Sequence, residues 1–591
     1  MIARLFGKRD SRPFLSPGRE VRLRAPAKML LDGETKENLE HSRSRLILAG
    51  SFFMAIFATI SYRLVDVAVV NGVEEPTRGR TAQTEELRLG RADITDRNGV
   101  LLATNLPTVN LFADGRDVRD PEESARALAR VLPGLDYAET LQRLSSGQAF
   151  VYLKRNLTPK QQFDVNTLGL PGVQFQKGEA RVYPQGHILS HTVGMTNVDN
   201  QGLSGIELAF DQRLRDNGEP MALSIDLRLQ HLVTRELATA IEEFDAVGAA
   251  GVVLDARTGE VLALSSLPDF DPHSPPAADD PVLFNRVTKG LYEMGSVFKL
   301  FTAAAALETG TADLTTRYDA TDPIQVASFT IKDFHPLARP LTVAEIITHS
   351  SNIGAAKMGL ELGGDAQREF LSKLGILDRA SIEVPEISTP RTPSPWRPIN
   401  TMTISYGHGI SVTPLHVVSG VAALVNGGFL RPATLLKSTD GKFVEGRRVL
   451  SFDTSRKMRH LMRLVVEEGS GRKAEVSGYM VGGKTGSAEK IDASGHYVQN
   501  GIIASFVAAF PMNEPRYIVL TVLDEPKGNK QTYGFTTAGW NAAPVAGRII
   551  EQLAMMSGLA PRYTGTPGES LDGRNAGLTK AVVQGGDLAA Q

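Results

Sequence analysis

The sequence predicts a mixed α/β (α+β) protein: an antiparallel sheet sandwiched by helices, a helical subdomain beside it, an elongated N-terminal pedestal and one transmembrane helix. Three observations carry that expectation. Strand-like apolar runs stand at both ends of the region 221–560, GAAGVVLDARTGEVLALSS near its start and IIASFVAAF with RYIVLTVLD near its close, and a long helical middle separates them. The segment 63–220 alternates short strand-like runs with turn signals. An uncharged run from Leu46 to Tyr62 is bracketed by Arg43, Arg45 and Arg63.

From the N-terminus, residues 1–45 form a basic arm in which Arg4, Lys8, Arg9, Arg12, Arg19, Arg22, Arg24 and Lys28 face only Asp10 and Glu20. It reads as a solvated cytoplasmic tail, with lipid or nucleic-acid binding as the alternatives for it. Residues 46–62 are just long enough to cross a bilayer as a helix, and a long pre-sequence with no A-x-A-like site argues against a cleaved signal peptide. The upstream arginines place the N-terminus in the cytoplasm and the chain beyond Arg63 outside, on the periplasmic side of the inner membrane. In the pedestal, 63–220, Asp96-Arg97-Asn98-Gly99 predicts a tight hairpin and the stretch 120–131 a helix with an acidic first turn. In 221–560, IDLRLQHLVTRELATAIEEF predicts a long helix, Ala256 to Gly259 a hairpin turn, and 541–559 an amphipathic closing helix. Residues 561–591 lack a periodic apolar face and read as a disordered tail.

Composition narrows the chemistry. With 42% hydrophobic and 22% charged residues in 591, the chain is neither polytopic nor wholly disordered, and it is too long for one core. It has no cysteine, which excludes disulfides, a thiol nucleophile and thiolate metal sites. No His sits in an H-E-x-x-H cluster, so His349 and His408 read as packing or hydrogen-bonding residues; no metal and no cofactor are expected.

Three short motifs carry the candidate chemistry. Ser296 precedes the Ala-rich helical run FTAAAALETG with Lys299 at i+3, so one helix face can bring an amine to a hydroxyl. Serine needs a base, and lysine serves only if burial or a second cation lowers its reference pKa of about 10.4. Ser350-Ser351-Asn352 lies between the helical stretches TVAEIITHS and IGAAKMGLELG, where a loop can present a hydroxyl and an amide together, although taken alone it reads first as helix capping. Lys484-Thr485-Gly486-Ser487 follows two glycines on a strand-like run; Lys484 can be the second cation, and Thr485 and Ser487 can offer hydroxyls to a carboxylate. Each motif is weak alone. In order, S-x-x-K, S-x-N and K-T-G form the signature of penicillin-binding proteins and serine β-lactamases.

With GRADITDRNGVLLA, EARVYPQGHILSHTVG, GLSGIELAFD, DARTGEVLALSSLPDFDP, SYGHGISVTPL and VGGKTGSAEK in order, the chain over about 45–555 resembles the class B penicillin-binding proteins of the septal cell-division type. An anchor, a non-catalytic pedestal and no glycosyltransferase domain fit class B. The resemblance implies a peptidoglycan D,D-transpeptidase that cross-links stem pentapeptides of nascent lipid-linked glycan and is acylated by β-lactams. It implies Ser296 as nucleophile, Lys299 as base, Ser350 as proton relay, Asn352 as substrate binder and Lys484 as support for the charge pattern. Thr485 and Ser487 would hold the substrate carboxylate beside Gly486, and the N–H groups of Ser296 and Ser487 would form the oxyanion hole. Implied partners are an FtsW-type glycosyltransferase and other divisome proteins, with no nucleic acid. Two positions depart from the family pattern: Met294 replaces a proline, and Ser487 a more common Thr. The alternatives are an elongation-type class B enzyme, a D,D-carboxypeptidase or β-lactamase using the same residues, and an anchored β-lactam sensor or scaffold.

Overall fold

The computed structural model describes residues 47, 50–62, 90–216, 218–326, 329–438, 445–492 and 495–562. The chain divides into two units, Met1–Arg88 and Leu89–Gln591. In the first, residues 50–62 are helical with exposed side chains, and the Thr59 hydroxyl donates to the Ala55 carbonyl at 2.7 Å. Among the described residues no helix is long and apolar enough to cross a membrane, so the span expected over 46–62 is described as helix only in its 50–62 part. The basic arm and nearly all of the expected C-terminal tail lie outside the described residues.

The second unit opens with the pedestal. Its sheet is built on the long strand Leu101–Ala113, which pairs antiparallel with Val173–Val182 along most of its length and with Val151–Leu157 over its end. The Asp96–Gly99 turn is set by local chemistry: the Asp96 carboxylate accepts from the N–H groups of Asn98 and Val100 at 2.7 and 2.9 Å, and Gly99 takes φ +86° without a Cβ penalty. Helices Pro121–Val131 and Pro159–Thr167 start on side-chain caps, Asp120 and the Thr158/Gln161 capping box, each with proline at the first position. Their apolar faces meet the sheet around Leu111, Leu128, Leu144, Leu153 and Leu157. Ile94–Thr95 runs parallel to Met221–Ala222, joining the pedestal to the start of the region 221–560.

There, helix α1 (Leu227–Phe244) is capped by Asp226 and leads into strands β1 (Gly248–Asp255) and β2 (Val261–Leu267), an antiparallel hairpin. Then come α2 (Phe298–Thr309), α3 (Val343–His349) and α4 (Asn352–Leu362), strands β3 (Gly482–Ile491), β4 (Tyr497–Phe510) and β5 (Tyr517–Asp524), and the closing helix α5 (Ala542–Met556). The strands order β3-β4-β5-β1-β2, so the first and last parts of the region make one sheet and the helical middle stands beside it. Every residue of β1 and β5 is buried because both faces are covered. Val252, Leu254, Ile518 and Leu520 face the helical core containing α2; Ala249, Val253, Val519 and Leu523 alternate with them and face α1 and α5. Strand β3, at the sheet edge, carries Lys484 to Ser487 with one side of its backbone free of strand partners.

Candidate active site

Ser296 lies in a single 3₁₀ turn, Gly295–Val297, that feeds α2, and it is half-buried while Lys299 one turn on is wholly enclosed. The turn approaches β3 so closely that a Cβ on Gly486 would stand 2.3 Å from the Met294 carbonyl oxygen. Glycine at 486 is therefore a condition of bringing the turn that carries Ser296 to the sheet edge.

The Lys299 amine is the hub. Its Nζ lies 2.7 Å from Ser296 Oγ, 2.7 Å from Asn352 Oδ1, 2.8 Å from the Ser350 carbonyl oxygen and 3.1 Å from Ser350 Oγ. Lys484 Nζ reaches the same Ser350 hydroxyl at 3.0 Å, and also the Thr485 carbonyl at 3.3 Å. Ser296, Lys299, Ser350 and Lys484 thus form one continuous hydrogen-bonded chain spanning three elements. Ser350 ends α3 in the left-handed region, φ +60°, and from there presents both carbonyl and hydroxyl to Lys299.

Burial without a paired counter-ion shapes the charges. Burial, and then the nearby Lys484 ammonium, hold the Lys299 pKa well below its ordinary value, opposed by Asp333. Burial pushes Lys484 down to about 7. An enclosed Nζ with four polar neighbours suits a neutral amine, which accepts from one hydroxyl and donates to others.

The hydroxyls of the K-T-G strand have partners within the chain. The Thr485 hydroxyl shares a hydrogen bond with Ser470 Oγ at 2.6 Å, and Ser487 Oγ accepts from the Ala538 N–H at 3.0 Å. Both hydroxyls thus have partners within the chain, and Ser470 and the loop before α5 become parts of the site. His408 sits beside the cluster, its pKa lowered by burial and then by Lys299, whereas His349 is exposed.

Two buried carboxylates went unread in the sequence. Asp333 receives the Ser351 hydroxyl and the N–H groups of Asn352 and Ile353. Glu293 accepts from the Gly409 N–H at 2.6 Å and lies 3.3 Å from the Tyr497 hydroxyl; burial raises it to about 7 against those hydrogen bonds. Neither belongs to a motif; only their places, Glu293 three residues before Ser296 and Asp333 directly after the strand-like run FTIK, could have drawn notice. Among the described residues no group of three or more His, Cys, Asp or Glu could hold a metal ion.

This geometry has counterparts among known proteins. The family model for the penicillin binding protein transpeptidase domain matches residues 249–551, and that for the penicillin-binding protein dimerisation domain matches residues 88–219. The chain belongs to the penicillin-binding protein transpeptidases. It is 41% identical over 481 residues to the probable peptidoglycan D,D-transpeptidase FtsI of Caulobacter vibrioides, covering 79% of this chain and 82% of that protein. Within the family it is a class B member of the FtsI type. The peptidoglycan D,D-transpeptidase FtsI of Escherichia coli K12 is 29% identical over 575 residues, covering 90% and 95% of the two chains. The apo transpeptidase domain of Burkholderia pseudomallei penicillin-binding protein 3 superposes with a TM-score of 0.51 at 31% identity, over 57% of this chain and 97% of that one.

Proposed function

We propose that this chain is a peptidoglycan D,D-transpeptidase of the division septum, working through an acyl-enzyme on Ser296. The Ser296–Lys299–Ser350–Lys484 chain of hydrogen bonds carries that reading. Neutral Lys299 takes the Ser296 proton as Oγ bonds to the penultimate D-Ala carbonyl carbon of a stem pentapeptide. The oxyanion is held by the N–H groups of Ser296 and Ser487. As the peptide C–N bond breaks, the Ser350 hydroxyl passes a proton to the departing D-Ala amine and is resupplied by Lys299. An acceptor-stem amine then attacks the ester carbonyl, the same groups run in reverse, and Ser296 is released with a new peptide cross-link. Asn352 binds the stem and fixes Lys299, Lys484 keeps the second positive charge, and Thr485 and Ser487 lie along the substrate carboxylate beside Gly486. β-Lactams, whose strained amide stands in for the D-Ala bond, acylate the same oxygen.

Residues 46–62 anchor the enzyme in the inner membrane, with the arm 1–45 in the cytoplasm, the pedestal 63–220 and transpeptidase domain 221–560 outside, and 561–591 as a tail. An FtsW-type glycosyltransferase and other divisome proteins would meet the anchor and pedestal. The test is labelling of the full-length protein in detergent with a fluorescent penicillin, with Ser296→Ala alongside and mass spectrometry to place and time the adduct. A long-lived adduct on Ser296 that the variant lacks is expected. Rapid release of that adduct would instead mean a hydrolase, and no adduct would sink the reading.

A further inference from the structure

Asp333 follows a pair of short antiparallel strands, Ile324–Val326 with Phe329–Ile331, and belongs to none of the three motifs, yet it is buried against the S-x-N turn. Its Oδ2 accepts from the Ser351 hydroxyl at 2.7 Å, and its Oδ1 from the N–H groups of Asn352 and Ile353 at 2.5 and 2.9 Å. Those two N–H groups begin α4 and have no partner within the helix. Ser351 supplies the local cap, accepting from the Gly354 N–H at 3.0 Å. Asp333 thus adds from outside the helix what the local cap leaves unmet.

Its neighbour completes a brace. The Lys332 carbonyl takes the Asn352 side-chain Nδ2–H at 3.0 Å, which turns the amide so that Oδ1 faces Lys299 at 2.7 Å. Ser350 stands between two fixed points: its own N–H donates back to the Ile346 carbonyl, which also takes the Ser351 N–H at 3.0 Å, and beyond it Asp333 grips Ser351, Asn352 and Ile353. A left-handed serine costs on the order of 1 kcal/mol and persists where its surroundings over-determine it. Here they do, and the consequence is the placement of the Ser350 carbonyl and hydroxyl on Lys299.

We propose that Asp333 is a positioning residue for acyl transfer: it holds the left-handed Ser350 turn that aims three acceptors at Lys299, and it is the carboxylate whose charge acts on that amine. The inference rests on the reading of Lys299 as base. The charged and titratable groups facing Lys299 are Lys484 from β3, Asp333 from the segment after that strand pair and His408 from the loop near Tyr406; Glu489 and Glu293 act on that loop and on Tyr497 instead. Lys484 disfavours the Lys299 ammonium and Asp333 favours it. Removing the Asp333 charge while keeping its shape therefore makes Lys299 a free base at lower pH.

The experiment measures the second-order rate of fluorescent-penicillin acylation from about pH 5 to 9 on the full-length protein in detergent, with Asp333→Asn, Asp333→Ala and Lys299→Met. In Asp333→Asn the remaining oxygen still accepts from the two N–H groups, so acylation persists and its acid limb moves to lower pH. Asp333→Ala loses the grip, and acylation by the folded fraction drops about ten- to a hundredfold at every pH, through misplacement of Lys299. A role in stability alone would lower the folded fraction and leave the acid limb in place. An unmoved limb in Asp333→Asn therefore overturns the proposal, and so does native-rate acylation by Asp333→Ala. If Asp333→Ala does not fold, the limb in Asp333→Asn decides. Native-rate acylation by Lys299→Met would bring down the base reading itself, a result distinct from both Asp333 outcomes.

Discussion

Two clusters of buried cations in this chain are handled in opposite ways. In the pedestal, Arg91 and Arg181 are enclosed and both donate to Glu207, at 2.6 and 2.7 Å, one to each carboxylate oxygen; Arg91 also reaches Asp211 at 2.7 Å. At the candidate site, Lys299 and Lys484 are as fully enclosed, but no carboxylate is in ion-pair contact with either among the described residues, and Asp333 acts on Lys299 only through space. Removing an ion from water costs several kcal/mol in both places. A guanidinium cannot shed its proton, so the pedestal must supply counter-charges; an ammonium can, so at the candidate site burial lowers the pKa of both lysines instead. On the proposed reading, buried charge that is paired holds the pedestal together, and buried charge left unpaired makes the site reactive.

The largest effect expected of that contrast is at Lys299. Lys299→Met should fold and lose about 10³- to 10⁴-fold in penicillin acylation, read from labelling rates normalised to folded protein. Next is its pedestal counterpart: Glu207→Ala leaves buried Arg181 with no carboxylate and Arg91 with Asp211 alone, and should cost about 3–5 kcal/mol in denaturant unfolding. Acylation per folded molecule should be unchanged. If Glu207→Ala altered the pH dependence of acylation as well, the two clusters would not be separate devices.

Third is the pH profile itself. Acylation should rise with pH as Lys299, held well below its ordinary value by burial and by Lys484, loses its proton. It should fall again as Lys484 discharges at about 7, which gives a bell with its alkaline limb near neutrality. Pre-steady-state labelling over the pH range measures it, and a flat profile would contradict the assignment of a buried base and a buried cation.

The smallest effect is at Glu293, a lone buried carboxyl in which neither mode is complete. Its folded-state value of about 7 lies above its value in the unfolded chain. The folded protein therefore keeps a proton that the unfolded chain releases, and stability from this group is present at acid pH and lost as pH rises from about 4.5 to 7. Glu293→Gln keeps an oxygen for the Gly409 N–H and removes the titration. It should be more stable than the parent by about 1–3 kcal/mol at pH 8 and little different at pH 4, as read by thermal unfolding at both. An equal difference at the two pH values would rule this out.

The two regions also differ in how legible they were. The pedestal hairpin at Asp96–Gly99 and its capped helices follow from local residue chemistry, but nothing in the sequence paired Arg91 and Arg181 with Glu207. At the candidate site, the motifs named Ser296, Lys299, Ser350, Asn352 and Lys484, and the structure brings all five within hydrogen-bond reach along one chain of contacts. The partners of the Thr485 and Ser487 hydroxyls, Ser470 and the Ala538 N–H, come from segments that no motif names.

By itself the sequence determined the periods, caps and turns, since these depend on residues within about four positions of one another. It also determined the order in which a hydroxyl, an amine, an amide and a second amine are delivered. The tertiary structure alone decided their protonation and support. Desolvation of Lys299 and Lys484 depends on everything packed around them, and Asp333, Glu293 and Ser470 reach the site through contacts between segments that no local pattern records.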